Sequence, residues 1–270
     1  MPSGTTHPNR FDPLDRVLPI EHVGDIDSTM SLAKEAVESG NLRERGADSG
    51  VMYVARSQST GRGRFAREWY SPPGGLWTTI AWPIGAGDGG LQSFIKGLAL
   101  RVGVACLLTV RNTLSHHGHG PRINLKWPND ILINEKKVCG NICQIIQQAG
   151  RAYLLIGVGM NANNNPAELP EDLRRPATSL SNEIKQPVDM TRLERELRAN
   201  LHHAATTRGA DDQTIAVARQ ALHGIGRTIE IHLPTGDFKR GTLKGLSEDG
   251  RLELDCHGTT FIAPLGSDLA

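Results

Sequence analysis

The chain has 270 residues, of which 38% are hydrophobic, and its 30 Lys and Arg offset 29 Asp and Glu to leave a net charge of +1. That balance excludes a basic body that would hold nucleic acid by its bulk field, so any anion site must be local. Four cysteines (Cys106, Cys139, Cys143 and Cys256) form no Cys-x-x-Cys pair, which fits reduced thiols. No apolar run reaches the roughly 20 residues needed to span a bilayer. We therefore expect a cytoplasmic protein with no membrane or nucleic-acid partner.

Residues 1–19, carrying Pro2, Pro8, Pro13 and Pro19, read as a flexible arm. A strand is predicted over 20–26, and Asp27-Ser28-Thr29 then offers N-cap chemistry for a helix through Ala33, Ala36 and Val37 that ends near Gly40. A second apolar strand, 51–55, leads into the run Gln58-Ser59-Thr60-Gly61-Arg62-Gly63-Arg64-Phe65-Ala66-Arg67-Glu68-Trp69-Tyr70-Ser71. Glycines that can take positive φ, set among forked guanidinium donors, describe an anion-binding loop. A strand over 76–82 follows. Leu91, Phe94, Ile95, Leu98, Ala99, Val102, Ala105 and Cys106 then keep the spacing of a core helix.

The middle of the chain is mostly sheet, with strands predicted at 123–126, 131–134, 138–146 and 153–158 and a turn at 134–137. The run Lys126-Trp127-Pro128-Asn129-Asp130 combines a base, an aromatic wall and an acid at a strand entry. Asp130 there could hold Mg²⁺ that bridges phosphates. Lys137 is a point charge of the kind an acyl phosphate needs. A helix from Thr191 with leucines at 193, 197 and 201, and another over 212–222, close this part. Short alternating strands beyond Gly224 read as a small barrel. The expected division is therefore an arm (1–19), an α+β catalytic domain with a mixed sheet (20–223) and a small barrel (224–270). Gly61-x-Gly63-x-x-Ala66 and Gly157-x-Gly159-x-x-Ala162 lack the strand-turn-helix context of a dinucleotide fold, and no P-loop run exists. His116-His117-Gly118-His119 reads as a solvated loop, and Trp77 and Trp82 as core or pocket-wall residues.

The phrases Asp27-Ser28-Thr29, Gln58 through Ser71, Lys126-Trp127-Pro128-Asn129-Asp130, Lys136-Lys137-Val138-Cys139-Gly140, Ile156-Gly157-Val158-Gly159-Met160-Asn161 and Ala177-Thr178-Ser179-Leu180 occur in the order found in biotin protein ligases, which the chain resembles from about residue 20 onward. The resemblance implies a catalytic fold shared with lipoate ligases and an SH3-like C-terminal barrel. It also implies a reaction in which biotin and Mg-ATP form biotinyl-5′-AMP, with transfer to a lysine of the biotin carboxyl carrier protein of acetyl-CoA carboxylase or a related carboxylase. By resemblance Ser28, Thr29, Gln58, Arg62, Gly63, Arg64 and Lys137 hold biotin, with Arg62 and Lys137 at the reacting centre. Arg62, Arg64, Arg67, Trp69, Asn129, Asp130 and Asn161 would serve ATP, and Asp130 the Mg²⁺. No prosthetic group is implied, and the protein would act as a monomer or homodimer.

Met30 stands where this family usually has asparagine, Ala66 where it has glycine, Phe65 where it often has a basic or small residue, and Gln144 near its usual glutamate. A lipoate or octanoate ligase is the alternative within the same fold class. A biotin-dependent repressor is a second alternative, which the roughly twenty residues ahead of the domain leave without room for a winged helix-turn-helix.

Overall fold

The structure, a computed structural model, describes residues 12–44, 49–85, 90–115, 122–165, 176–209, 211–264 and 266–269. Its centre is a seven-stranded mixed sheet in the order β1-β3-β5-β9-β8-β7-β6, where β1 is Ile20–His22, β3 Val51–Ala55, β5 Leu76–Ile84, β6 Ile123–Lys126, β7 Asp130–Ile133, β8 Lys136–Gln148 and β9 Arg151–Met160. Strands β1 and β3 run parallel, and every other neighbouring pair in this sheet is antiparallel. All residues of β3 and β5 are buried, because the sheet is covered on both faces. Alternation assigns the faces. Val51, Tyr53, Ala81 and Leu155 pack with Met30, Ala33 and Val37 of helix α2 (Thr29–Glu38), while Met52, Val54, Ile80, Leu154 and Ile156 point to the opposite core.

That opposite core holds helix α5 (Leu98–Ser115) and helix α7 (Met190–Thr206), which Asp189 caps by accepting from Arg192 N. By length and composition α5 could cross a membrane, but 72% of it lies buried inside the fold. The single helix expected over 91–106 is divided into α4 (Gly90–Ile95) and α5 at Gly97, whose φ of 69° is left-handed. Arg101 bridges the break. Buried, it donates to the carbonyls of Phe94, Lys96, Ala204 and Gly209, and burial brings its pKa down to about 10.

Two further expectations change. The strand over 20–26 is broken at Gly24 (φ 67°) into β1 and β2 (Asp25–Ile26), and β2 pairs in parallel with β4 (Ser57–Gln58). Within the arm, residues 12–19 fold in as the short helix α1 (Leu14–Val17), held by buried Arg198, which pairs with Asp12 and with Asp15 at 2.6 Å. Residues 1–11, like His116-His117-Gly118-His119, lie outside the described residues. Three short helices carried no readable period: α1, α3 (Asn41–Glu44) and α6 (Leu180–Ile184).

Helix α8 (Asp212–Ala221) leads into the C-terminal strands β10 (Thr228–His232), β11 (Phe238–Leu246), β12 (Leu252–Cys256), β13 (Thr259–Ile262) and β14 (Asp268–Leu269). The expected barrel is an antiparallel sheet in the order β13-β12-β11-β10-β14, consistent with an SH3-like unit, whose pairing does not close from β14 to β13. Trp127 Nε1 donates to Gly250 O at 2.9 Å, and Arg219 donates to Leu246 O at 2.6 Å, which seats this sheet on the larger one.

Candidate active site

The arginine loop leaves β4 and returns to the same place. Gln58 N donates to Ser71 O at 3.0 Å and Gln58 Nε2 to Ser71 Oγ at 2.9 Å, closing its base. Inside it, Trp69 N bonds Gly61 O and Gly63 N bonds Arg67 O. Neither glycine takes positive φ, and Gly61 serves close approach whereas Gly63 has room for a Cβ. A Cβ on Gly61 would lie 2.3 Å from Trp69 O, and the left-handed residue is Phe65, at φ 57°. The Phe65 ring is exposed, with the guanidinium groups of Arg64 and Arg67 over it at 5.0 and 5.4 Å.

Beside the loop lies an open cleft, whose space together with the solvent at its mouth comes to about 870 Å³. Its polar end is the start of α2. Ser28 occupies the N-cap position, but its side chain makes no capping bond, and its buried hydroxyl meets no partner among the described residues. Gln58 Oε1 takes over the capping, accepting from Thr29 N at 2.8 Å and from Thr29 Oγ1 at 3.0 Å. Thr79 Oγ1 donates to Thr29 Oγ1 at 2.8 Å, so three strands of chain meet in one network. An unpaired buried hydroxyl costs free energy unless a ligand meets it, which marks Ser28 as a contact point. Met30, one of the residues that depart from the resembled pattern, gives this end an apolar wall. Its Cε would lie 2.9 Å from a Cβ on Gly157, beside Ile142.

The cationic end is built by β7, β8 and the loop. Lys137 Nζ pairs with Asp130 Oδ1 at 2.8 Å and lies 4.8 Å from the centre of the Trp69 ring. The Trp69 indole rests on paired glycines of β8 and β9, since a Cβ on Gly159 would be 2.4 Å from it and one on Gly140 2.9 Å. Its Nε1 is buried without a partner among the described residues. Arg62 is exposed and lines the cleft, and its side chain has no ion pair among the described residues. Arg64 is held. Its Nη1 donates to Asn129 Oδ1 at 3.1 Å and to Asp268 Oδ1 at 2.9 Å. Asn129 in turn donates through Nδ2 to Asn141 O at 3.0 Å. Behind this wall, burial and the neighbouring Cys106 push the Cys139 thiol well above the usual range, so it stays neutral and is no nucleophile.

Ser28, Thr29, Gln58, Arg62, Gly63, Arg64, Arg67, Trp69, Asn129, Asp130 and Lys137 all line this one cleft. Asn161 does not. It is buried behind the wall, its N donating to Val138 O and its Oδ1 accepting from Asn164 Nδ2. Trp77 is fully buried, with Nε1 bonded to Pro72 O, so it belongs to the core. Gln144 is exposed on β8 outside the cleft, so a glutamate missing there removes nothing from the site. Asp268 and Leu269, which no motif singled out, form part of the wall. Among the described residues no group of three or more His, Cys, Asp or Glu side chains could hold a metal ion by itself. The donor set fits Mg²⁺ only as an ion arriving on phosphates, with Asp130 offering one carboxylate.

Residues 25–161 match the biotin/lipoate A/B protein ligase family. The bifunctional ligase/repressor BirA of Bacillus subtilis is 30% identical over 245 residues, covering 87% of this chain and 70% of that protein. The biotin--[acetyl-CoA-carboxylase] ligase of Mycobacterium tuberculosis is 31% identical over 232 residues, covering 82% and 79%. In fold, the biotin protein ligase from Aquifex aeolicus, solved in complex with biotin and ATP, superposes with a TM-score of 0.68 over 93% of this chain and 98% of that one, at 23% identity. The chain belongs to the biotin/lipoate A/B protein ligase family.

Proposed function

We propose that this protein is an ATP-dependent biotin protein ligase that activates biotin as biotinyl-5′-AMP and transfers it to a lysine of a carboxylase carrier domain, that of acetyl-CoA carboxylase by analogy with its relatives. The observation that carries this reading is one cleft lined by the buried hydroxyl of Ser28, which meets no partner among the described residues, by the apolar Met30, Ile142 and Val158, and by the cations Arg62, Arg64 and Lys137. Ser28 Oγ and the remaining Nε2 hydrogen of Gln58 meet the ureido group, Thr29 shapes that end through its bonds to Gln58 and Thr79, and Met30, Ile142 and Val158 cover the apolar part.

In the first step a biotin carboxylate oxygen attacks the α-phosphorus of ATP, the bond to the bridging oxygen breaks and pyrophosphate leaves. Arg62 and Lys137 stabilise the charge that grows between carboxylate and phosphate, and Gly63 lets the backbone come close. Arg64, Arg67, Trp69 and Asn129 form the nucleotide side. In the second step the carrier lysine amine attacks the acyl carbon, AMP leaves with the bonding pair and the amine gives up a proton. The adenylate is itself the activated species, so no covalent enzyme intermediate is required.

Residues 20–223 form the catalytic unit and 224–270 the accessory sheet in this reading, in a cytoplasmic monomer or homodimer working without nucleic acid. Incubating the protein with biotin, Mg-ATP and a carrier domain should yield one biotinylated lysine by mass spectrometry. A folded sample that gives no product, or that uses lipoate in preference, rejects the proposal.

A further inference from the structure

The last strand is the part of the cleft that no motif announces. We infer that Asp268 is a positioning residue for Arg64, so that the C-terminal sheet completes the nucleotide side of the site; this rests on the ligase reading above. Arg64 sits in a short turn of the glycine loop on a long side chain, and within the loop its guanidinium meets the exposed ring of Phe65 at 5.0 Å. What fixes it comes from elsewhere: Asn129 Oδ1 at 3.1 Å, Asp268 Oδ1 at 2.9 Å and Ser267 O at 3.4 Å. Both acceptors from the tail belong to adjacent residues.

Their own placement is secured by the small sheet. Asp268 and Leu269 pair with His232 and Ile231 of β10, and Ser267 folds back through Oγ to Pro264 O at 2.8 Å. The turn passes through Gly266 at φ 87°, a left-handed position that suits glycine. Asp268 and Arg64 are both mostly buried, with side chains 14% and 23% exposed, so the pair is screened less than a surface pair would be. Because Nη1 carries both strong bonds, the Nε–Nη2 edge is left, among the described residues, with only the long contact to Ser267, and that edge is the fork that matches phosphate. A side chain held in this way meets its anion without first having to be ordered.

Asp268→Ala should lower kcat/KM for ATP in biotin-dependent ATP–pyrophosphate exchange roughly 10- to 100-fold, while the Kd for biotin without nucleotide and the Tm stay near wild type. Asp268→Asn, which keeps an acceptor oxygen, should recover most of that loss. Unchanged ATP kinetics in Asp268→Ala, or ATP and biotin parameters falling together with Tm, would overturn the assignment. The Nε–Hε NMR signal of Arg64 gives a second reading that needs no turnover. It should report an ordered side chain in wild type and a mobile one in Asp268→Ala, and an equally ordered side chain in both would refute the positioning role. Absence of exchange in the wild type would strike the ligase reading instead, leaving the NMR comparison to decide this one.

Discussion

The two walls of the cleft are made by different means. Lys137 and Asp130 stand on neighbouring strands, and the backbone around Lys137 is pinned further by its N–H to Pro176 O and by its carbonyl accepting from Thr178 N. The facing wall is a loop, clamped at its base, with an exposed Arg62 and a left-handed Phe65 at its far end. A wall fixed by strand pairing presents its charge before any ligand arrives, whereas an exposed loop arginine such as Arg62, unlike the tethered Arg64, must lose rotamer freedom on binding. We expect the sheet wall to govern the rate of chemistry and the loop wall to govern how long ligands stay.

Lys137→Ala is the sharpest test of that division. Losing one preorganised cation at a developing charge costs ~10²- to 10³-fold in rate, so single-turnover adenylate formation should fall by about that factor with a much smaller change in biotin Kd. Equal losses in both would mean that Lys137 makes only a ground-state contact. Next comes Arg62→Ala, expected to weaken biotin binding and shorten retention of the adenylate by about 10- to 100-fold, as loss of a charge-assisted hydrogen bond would. Dissociation measured by stopped flow should show it. An unchanged intermediate lifetime would remove Arg62 from the anion site.

The two walls were not equally legible in the sequence. The arginine loop and Lys126-Trp127-Pro128-Asn129-Asp130 declare themselves because charged and aromatic residues at strand exits are expensive to place without a task. Continuous apolar runs such as 51–55 gave β3 correctly, since a strand covered on both faces has no polar alternation to lose. Asp268 was invisible. It is one carboxylate on a two-residue strand, and only the three-dimensional pairing of β14 with β10 brings it to Arg64. Ser28 was read as a cap from its type and place, yet type cannot show that Gln58, thirty residues on, does the capping instead. Asn161 differs in the opposite sense: a polar residue following a glycine-rich strand can as well brace the wall from behind, and its place outside the cleft lining was not readable from its type.

Gly159→Ala addresses the seam where the walls meet. The strand itself tolerates alanine, but the new Cβ would fall 2.4 Å from the Trp69 indole, so the ring has to leave its place on β9. Overpacking of this kind costs about 1–3 kcal/mol, and the loop wall should loosen while the sheet wall keeps its form. The expected signature is a KM for ATP raised by about 10-fold with biotin Kd nearly unaffected. If KM is unmoved, Trp69 does not dock the loop in the nucleotide-bound state.

Gln58 joins both walls to α2, and its substitution should have the smallest effect of the four. Gln58→Ala removes the acceptor for Thr29 N and Thr29 Oγ1, a cap worth about 1 kcal/mol, which lowers Tm by about 2–4 °C in a chain of this size. Gln58→Glu separates the two duties. A carboxylate still accepts from Thr29, so Tm should hold, but it no longer donates to Ser71 Oγ, whose proton is directed at Trp69 O. To satisfy the carboxylate that proton must turn away from Trp69, which frees the base of the loop. Hydrogen exchange at the Trp69 and Gly63 amides, which donate to Gly61 O and Arg67 O, should then speed up while α2 keeps its protection. If exchange instead rises in α2 and leaves the loop unchanged, Gln58 serves the helix alone and the clamp at Ser71 contributes nothing to loop order.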